Sequence, residues 1–269
     1  MPELPEVETT TNGIRPHLLG QRIERFIIRE RRLRWPISEA IDQLTGQKIY
    51  DVYRRGKYIL IPVDQGTMLW HLGMSGSMRV LPVNSPVDKH EHVEMQLASG
   101  QSLKFRDPRR FGSLLFTKAD PLQHKLLCKL GPEPLSVEFN TDYLYRVCRH
   151  RSTSIKSLIM DSHRVVGVGN IYASEALFSA GIRPTREAGS ISKKRLEKLV
   201  ETIKRTLHAA IAQGGTTLQD FSRADGKPGY FKQSLQVYGV KGDCSVCGKP
   251  IKQITQNQRS SYYCPGCQS

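Results

Sequence analysis

The chain has 269 residues, with 40 lysines and arginines against 25 aspartates and glutamates, for a net charge of +15. Hydrophobic residues make up 38% and charged residues 24%, which excludes a mainly disordered chain and leaves room for one large domain or two ordinary ones. No stretch approaches the roughly 18 uninterrupted apolar residues of a membrane span. The start MPELPEVET is acidic rather than a secretory signal, and the positive charge points to a polyanion such as nucleic acid.

In chain order, Pro5 followed by Glu6 and Glu8 suits the first turn of a helix, where proline fits and acids complement the dipole. Segments rich in β-branched and aromatic residues follow at 22–29, 47–53, 58–63, 67–72, 77–81, 92–97, 102–106 and 113–117. Turns containing Gly, Pro and Asp separate them, a pattern that predicts a two-layer β structure. After 131–136 (GPEPLS) the period changes. Tyr143, Tyr145 and Val147 fit either helix or strand, whereas Ile155, Leu158 and Ile159 have helical spacing. Leu196, Leu199, Val200, Ile203, Leu207 and Ile211 predict a long amphipathic helix, with Ser192 before it and Gly214–Gly215 at its end. The stretch 225–230 (DGKPGY) reads as a loop, since two glycines and a proline within it break any helix. The glycines of Gly167-Val168-Gly169-Asn170 lack the third glycine and the surrounding strands of a dinucleotide fingerprint, but a glycine turn into a helix offers backbone N–H groups to phosphate.

Residues 236–269 surround Cys244-x-x-Cys247 and Cys264-x-x-Cys267. Two such knuckles supply four thiolates to one tetrahedral zinc ion, and with all four positions filled no site remains for an activated water, so the one Zn²⁺ is expected to be structural. Between the knuckles, 250–255 and 260–263 read as a β-hairpin with 256–259 (QNQR) at its tip. A four-thiolate zinc centre carries about two negative charges, so Lys241, Lys249, Lys252 and Arg259 leave the module only mildly basic. That favours a specific role for Arg259. The other thiols, Cys128 and Cys148, are expected to be buried packing residues. The predicted fold is α+β with two domains: a β-sandwich with a leading helix over 1–131, then a helical domain over 132–235 that ends in a Cys₄ zinc-finger hairpin over 236–269.

Several places converge on one family. The start Pro2-Glu3-Leu4-Pro5-Glu6-Val7-Glu8-Thr9, Gly56-Lys57-Tyr58, Asp107-Pro108-Arg109-Arg110-Phe111-Gly112, Val166-Gly167-Val168-Gly169-Asn170-Ile171-Tyr172 and the Cys₄ hairpin with Arg259 together resemble the bacterial formamidopyrimidine-DNA glycosylases. The resemblance spans essentially the whole chain and implies a helix-two-turn-helix in the helical domain and catalysis in the sandwich domain. The implied enzyme is a DNA-repair glycosylase and apurinic-site lyase that excises 8-oxoguanine and formamidopyrimidines and cleaves the strand by β,δ-elimination. A monomer in the bacterial cytoplasm, with lesion-bearing duplex DNA as partner and no obligate protein or membrane partner, is the matching expectation.

The resemblance assigns Pro2 as nucleophile, and elementary chemistry agrees. Removal of the initiator methionine exposes a secondary amine whose pKa of about 8, against about 10.4 for lysine, leaves roughly a tenth of it neutral at pH 7. Its iminium has no N–H to lose, stays cationic and acidifies the C2′ proton of the sugar. By resemblance Glu3 protonates O4′, Lys57 donates a proton during β-elimination and Arg259 serves δ-elimination; arginine hardly deprotonates, so phosphate clamping is its expected physical role. The Met74, Arg109 and Phe111 positions fill the gap left by the flipped nucleotide, and His90, Arg151, Asn170 and Lys156 match DNA-contacting positions. The 225–230 loop falls where the family has a flap over the extruded base. One departure is Ser157, where close relatives carry proline after the lysine. Two alternatives remain: an endonuclease VIII-type glycosylase for oxidised pyrimidines, against which Leu4 and the Asp107–Gly112 block argue, and a non-catalytic zinc-ribbon DNA-binding protein.

Overall fold

The computed structural model describes residues 2–216 and 234–269. The chain divides into two compact units: residues 2–128 with 213–216 form unit 1, and 129–212 with 234–269 form unit 2.

Unit 1 opens with α1 (Leu4–Leu18), which has Glu3 at its N-cap and Pro5 in its first turn. Two antiparallel four-stranded sheets follow. One has the order β1 (Ile23–Ile28), β6 (Glu91–Leu97), β7 (Gln101–Arg106), β5 (Ser77–Pro82); the other β2 (Tyr53–Arg55), β3 (Tyr58–Val63), β4 (Gly66–His71), β8 (Ser113–Thr117). Alternate residues of both sheets, including Ile59, Ile61, Met68, Trp70, Val93, Met95, Leu103 and Phe105, meet in one core that Val7, Ile14 and Leu18 of α1 complete. Trp70 and Phe105 join the sheets edge-on, with centroids 5.3 Å apart. The segment 47–53 is a correction to the strand expected there. Ile49 and Lys48 make only isolated bridges and strand pairing starts at Tyr53, while Ile49 and Val52 are buried in the same core as Ile41 and Leu44 of the short 3₁₀ helix Glu39–Leu44. Its apolar residues signal burial, but the chain there crosses between elements instead of joining a ladder.

Unit 2 contains α2 (Thr141–Cys148), α3 (Ile155–Met160), α4 (Asn170–Ala180) and α5 (Lys193–Ala212), then the hairpin β9 (Lys252–Gln256) and β10 (Arg259–Tyr263). Helix α4 is buried along nearly all its length, which fits its lack of a polar face, and it stops at Gly181 in the left-handed conformation, φ 72°. The amphipathic spacing of α5 turns Leu196, Leu199, Ile203 and Leu207 inward. Asn140 caps α2, which resolves the ambiguity of that segment in favour of helix. Cys148 is buried as expected. Cys128 is exposed, because it sits at the end of a turn whose backbone bonds to His124 while its side chain faces out. No helix among the described residues is long and apolar enough to cross a membrane.

Candidate DNA-repair site and zinc centre

The catalytic candidates of unit 1 lie at the start of α1 and on the β2–β3 turn. Pro2 is buried, and Glu3, which on sequence alone reads as a solvated charge, is only 3% exposed. Glu6, one turn on, fixes this end of the helix. Its Oε2 accepts the Glu3 N–H at 2.8 Å, and its Oε1 accepts the N–H of Thr216, 210 residues away, at 2.7 Å. Lys57 follows Gly56 in a two-residue hairpin whose first position, with φ 60°, requires glycine. Arg54 braces that turn to α1: its Nε donates to Glu8 at 2.6 Å and its Nη1 to the Gly56 carbonyl at 3.0 Å.

The expected gap-filling residues are likewise gathered in unit 1. Arg109 is exposed and stacks on Phe111, 4.9 Å from the ring centre, and Phe111 is 44% exposed on the protein surface. Met74 lies half-buried in the turn after β4. Asp107, fully buried, joins the two loops. Its carboxylate accepts Ser75 Oγ at 2.8 Å and Gly112 N–H at 2.7 Å, while Ser75 Oγ accepts the Arg109 N–H at 3.3 Å. Asp107 also donates its backbone N–H to the carbonyl of His90, a residue with φ 67°. Burial and the neighbouring cations Lys89 and Arg106 lower the His90 pKa. His71 accepts the Gly73 N–H on Nδ1 at 2.9 Å; burial, then the charges of Lys57 and Arg34, hold its pKa down to about 4. The ring is therefore neutral, with its proton on Nε2.

Unit 2 assembles a second cluster. Lys156, on α3, is only 2% exposed, and its ammonium donates to Asn170 Oδ1 at 2.6 Å, Ser261 Oγ at 2.7 Å and the Ser260 carbonyl at 3.1 Å. Asn170 is the first residue of α4, after N-cap Gly169, and its Nδ2 donates to the same Ser260 carbonyl at 2.9 Å. Arg259 opens β10 beyond the tight turn Asn257–Gln258, whose φ values are 47° and 60°. Lys156, Asn170, Arg259 and Ser261 line a cleft of about 250 Å³. Beside it Ser157 accepts Asn257 Nδ2 at 2.9 Å and so ties the hairpin tip to α3. Arg151 is exposed after α2, and residues 225–230 lie outside the described residues. The sequence singles out none of Arg54, His71, Ser75 and Ser261, and it gives Glu6 only as a first-turn acid. Glu6 in the first helical turn is the one with a local signal, three residues after the cap.

The sulfurs of Cys244, Cys247, Cys264 and Cys267 all lie within 4.8 Å of one another. Tetrahedral zinc with bonds of ~2.3 Å spaces its sulfurs ~3.8 Å apart, so the set fits. Hydrogen bonding from Cys247, with burial and the other sulfurs, pushes the Cys267 thiol up to about 12, so four thiolates this close call for a dication.

The comparisons agree with this architecture. Residues 1–114 match the formamidopyrimidine-DNA glycosylase N-terminal domain, 130–222 the formamidopyrimidine-DNA glycosylase H2TH domain, and 244–269 the zinc finger found in FPG and IleRS. A formamidopyrimidine-DNA glycosylase of Stutzerimonas stutzeri is 58% identical over 100% of both chains. The chain belongs to the formamidopyrimidine-DNA glycosylase family. Like the rest of that family it is a DNA-repair glycosylase, and its Cys₄ set is the ligand set of one structural zinc. Two solved structures are similar over 99% of both chains at 32% identity. One is a Lactococcus lactis FPG mutant with Fapy-dG containing DNA (TM-score 0.92), the other the Lactococcus lactis Fpg with abasic-site DNA (TM-score 0.91).

Proposed function

We propose that this glycosylase excises oxidised purines, 8-oxoguanine and formamidopyrimidines, from duplex DNA through a Pro2 imine and then cuts the strand by β,δ-elimination. The observation that carries the reading is the buried start of α1, where the residue that becomes the terminal secondary amine adjoins a carboxyl only 3% exposed. The neutral Pro2 nitrogen attacks C1′ as the glycosidic bond breaks, and the base leaves with the bonding pair and takes up a proton. Glu3 protonates O4′, the C1′–O4′ bond opens, and a C1′=N⁺ iminium remains. Loss of the C2′ proton into that electron sink expels the 3′ phosphate, and a second elimination expels the 5′ phosphate. Lys57 supplies a proton in the first elimination, and Arg259 holds phosphate through the second.

Met74, Arg109 and Phe111 fill the space of the flipped nucleotide and offset its lost stacking. His90, Arg151, Lys156 and Asn170 hold backbone, with Lys156 also orienting the Asn170 amide. The relatives crystallised with Fapy-dG and abasic-site DNA support both the substrate class and the intermediate.

Borohydride reduction during turnover of an 8-oxoguanine duplex tests the mechanism. The expected product is a covalent protein–DNA adduct mapped to Pro2, absent when the terminal amine is acetylated. Strand cutting by the acetylated protein at undiminished rate would overturn it. A duplex bearing thymine glycol should react far more slowly; faster release of thymine glycol would point to the pyrimidine enzyme.

A further inference from the structure

His71 has no part in the reaction as set out, yet it joins elements that do. It ends β4, pairs across the sheet with Tyr58 on one side and Ser113 on the other, and packs its ring 4.8 Å from that of Tyr58, the residue after Lys57. Its Nδ1 accepts the N–H of Gly73, next to Met74. Gly73 in turn lies hard against the other gap-filling loop: a Cβ there would sit 2.4 Å from Gly112 N and 2.4 Å from the Phe111 carbonyl carbon. The Gly73 residue that His71 binds is therefore also the point where the Met74 turn meets the Arg109–Phe111 turn.

We propose that His71 is a positioning residue for base extrusion, its Nδ1 holding the Gly73 amide so that Met74 enters the duplex in register with Arg109 and Phe111. The inference rests on the reading of those three side chains as gap fillers. The contact resembles an Asx-turn, in which a side-chain acceptor takes the N–H two residues on. An imidazolium would turn a second N–H towards Gly73, and burial beside the cations Lys57 and Arg34 keeps the ring in the accepting form. Asp107 binds the same pair of loops through Ser75 and Gly112, so His71 and Asp107 hold them through separate hydrogen bonds.

The test uses the full-length, zinc-loaded protein. His71→Phe keeps a ring on Tyr58 without the acceptor, His71→Leu removes both, and His71→Asn restores an acceptor two residues before the amide. Each is assayed under single-turnover conditions on an 8-oxoguanine duplex and on the same duplex with a preformed abasic site. A 2-aminopurine beside the lesion reports insertion. Loss of one hydrogen bond predicts that the Phe and Leu variants slow 8-oxoguanine excision and insertion about tenfold, leave abasic cleavage within about twofold, and that Asn stays within about threefold of wild type on both. Phe or Leu variants that excise at the wild-type rate, an equal loss on both substrates, or an Asn variant as slow as Phe would each overturn the proposal. Met74→Ala run in parallel separates the two levels. If it too leaves excision and insertion unchanged, the gap-filling reading has failed; if it slows both while the His71 variants do not, only the role of His71 has.

Discussion

Lys156 places an ammonium among Asn170 Oδ1, Ser261 Oγ and the Ser260 carbonyl at 2% exposure, which makes it a structural cross-link between α3, α4 and β10 as well as a cation at the cleft. Lys156→Met should deprive Asn170 Oδ1 and Ser261 Oγ of the ammonium donor, leave the Ser260 carbonyl with the Asn170 amide, and destabilise unit 2 by about 2–3 kcal/mol, beyond any loss of DNA affinity. Urea unfolding checks this, and an unchanged midpoint would mean that the lysine acts on DNA alone. At this scale the sequence conveyed residue types but little of their surroundings. Only the family resemblance marks Lys156, since a lysine in IKSLIM reads as a solvent face. Asp107 looks like a turn residue between Arg106 and Pro108, and its partner Ser75 is 32 positions away, where no local pattern reaches it. Glu3 reads as an exposed terminal charge, and its burial depends on the packing of α1.

Among the elements, the two loops that carry Met74 and Phe111 have backbones in contact, so glycine at position 73 is a steric requirement as well as a conformational one. Gly73→Ala should cost about 2–4 kcal/mol, from φ 69° and from overlap with Gly112 and Phe111. Gly100→Ala is the control: φ is a similar 77° but nothing lies within 4 Å of a Cβ, so about 1–2 kcal/mol is expected from the backbone alone. Thermal unfolding of the pair measures the difference, and equal costs would refute the close approach. Strands were legible where β-branched residues run between tight turns, as β3 and β8 coincide with 58–63 and 113–117. The segment 47–53 failed because burial alone produces the same apolar signal as ladder pairing. The short α2 was ambiguous because Tyr143, Tyr145 and Val147 alternate, and its Asn140 cap is what decides for helix.

Across the whole molecule, zinc belongs to the core of unit 2, since Cys244 and Cys264 cluster with Phe178 of α4 and Val237. Chelation should therefore abolish DNA binding by releasing the hairpin that carries Arg259, while unit 1 stays folded. Both tryptophans, Trp35 and Trp70, lie in unit 1, so their emission should hold steady as duplex binding disappears. Full binding by zinc-free protein would refute the coupling. The change of period after 131–136 and the paired cysteines made the broad organisation readable in advance. The return of the chain to unit 1 at 213–216 was not, because Gly214–Gly215 signals only that α5 has ended. The Glu6 carboxylate accepts from the amides of both Glu3 and Thr216. During synthesis, then, the start of the first helix waits for most of the polypeptide to leave the ribosome before the Thr216 amide arrives. A truncated product stopping within α5 would carry Pro2 and Glu3 without this fastening.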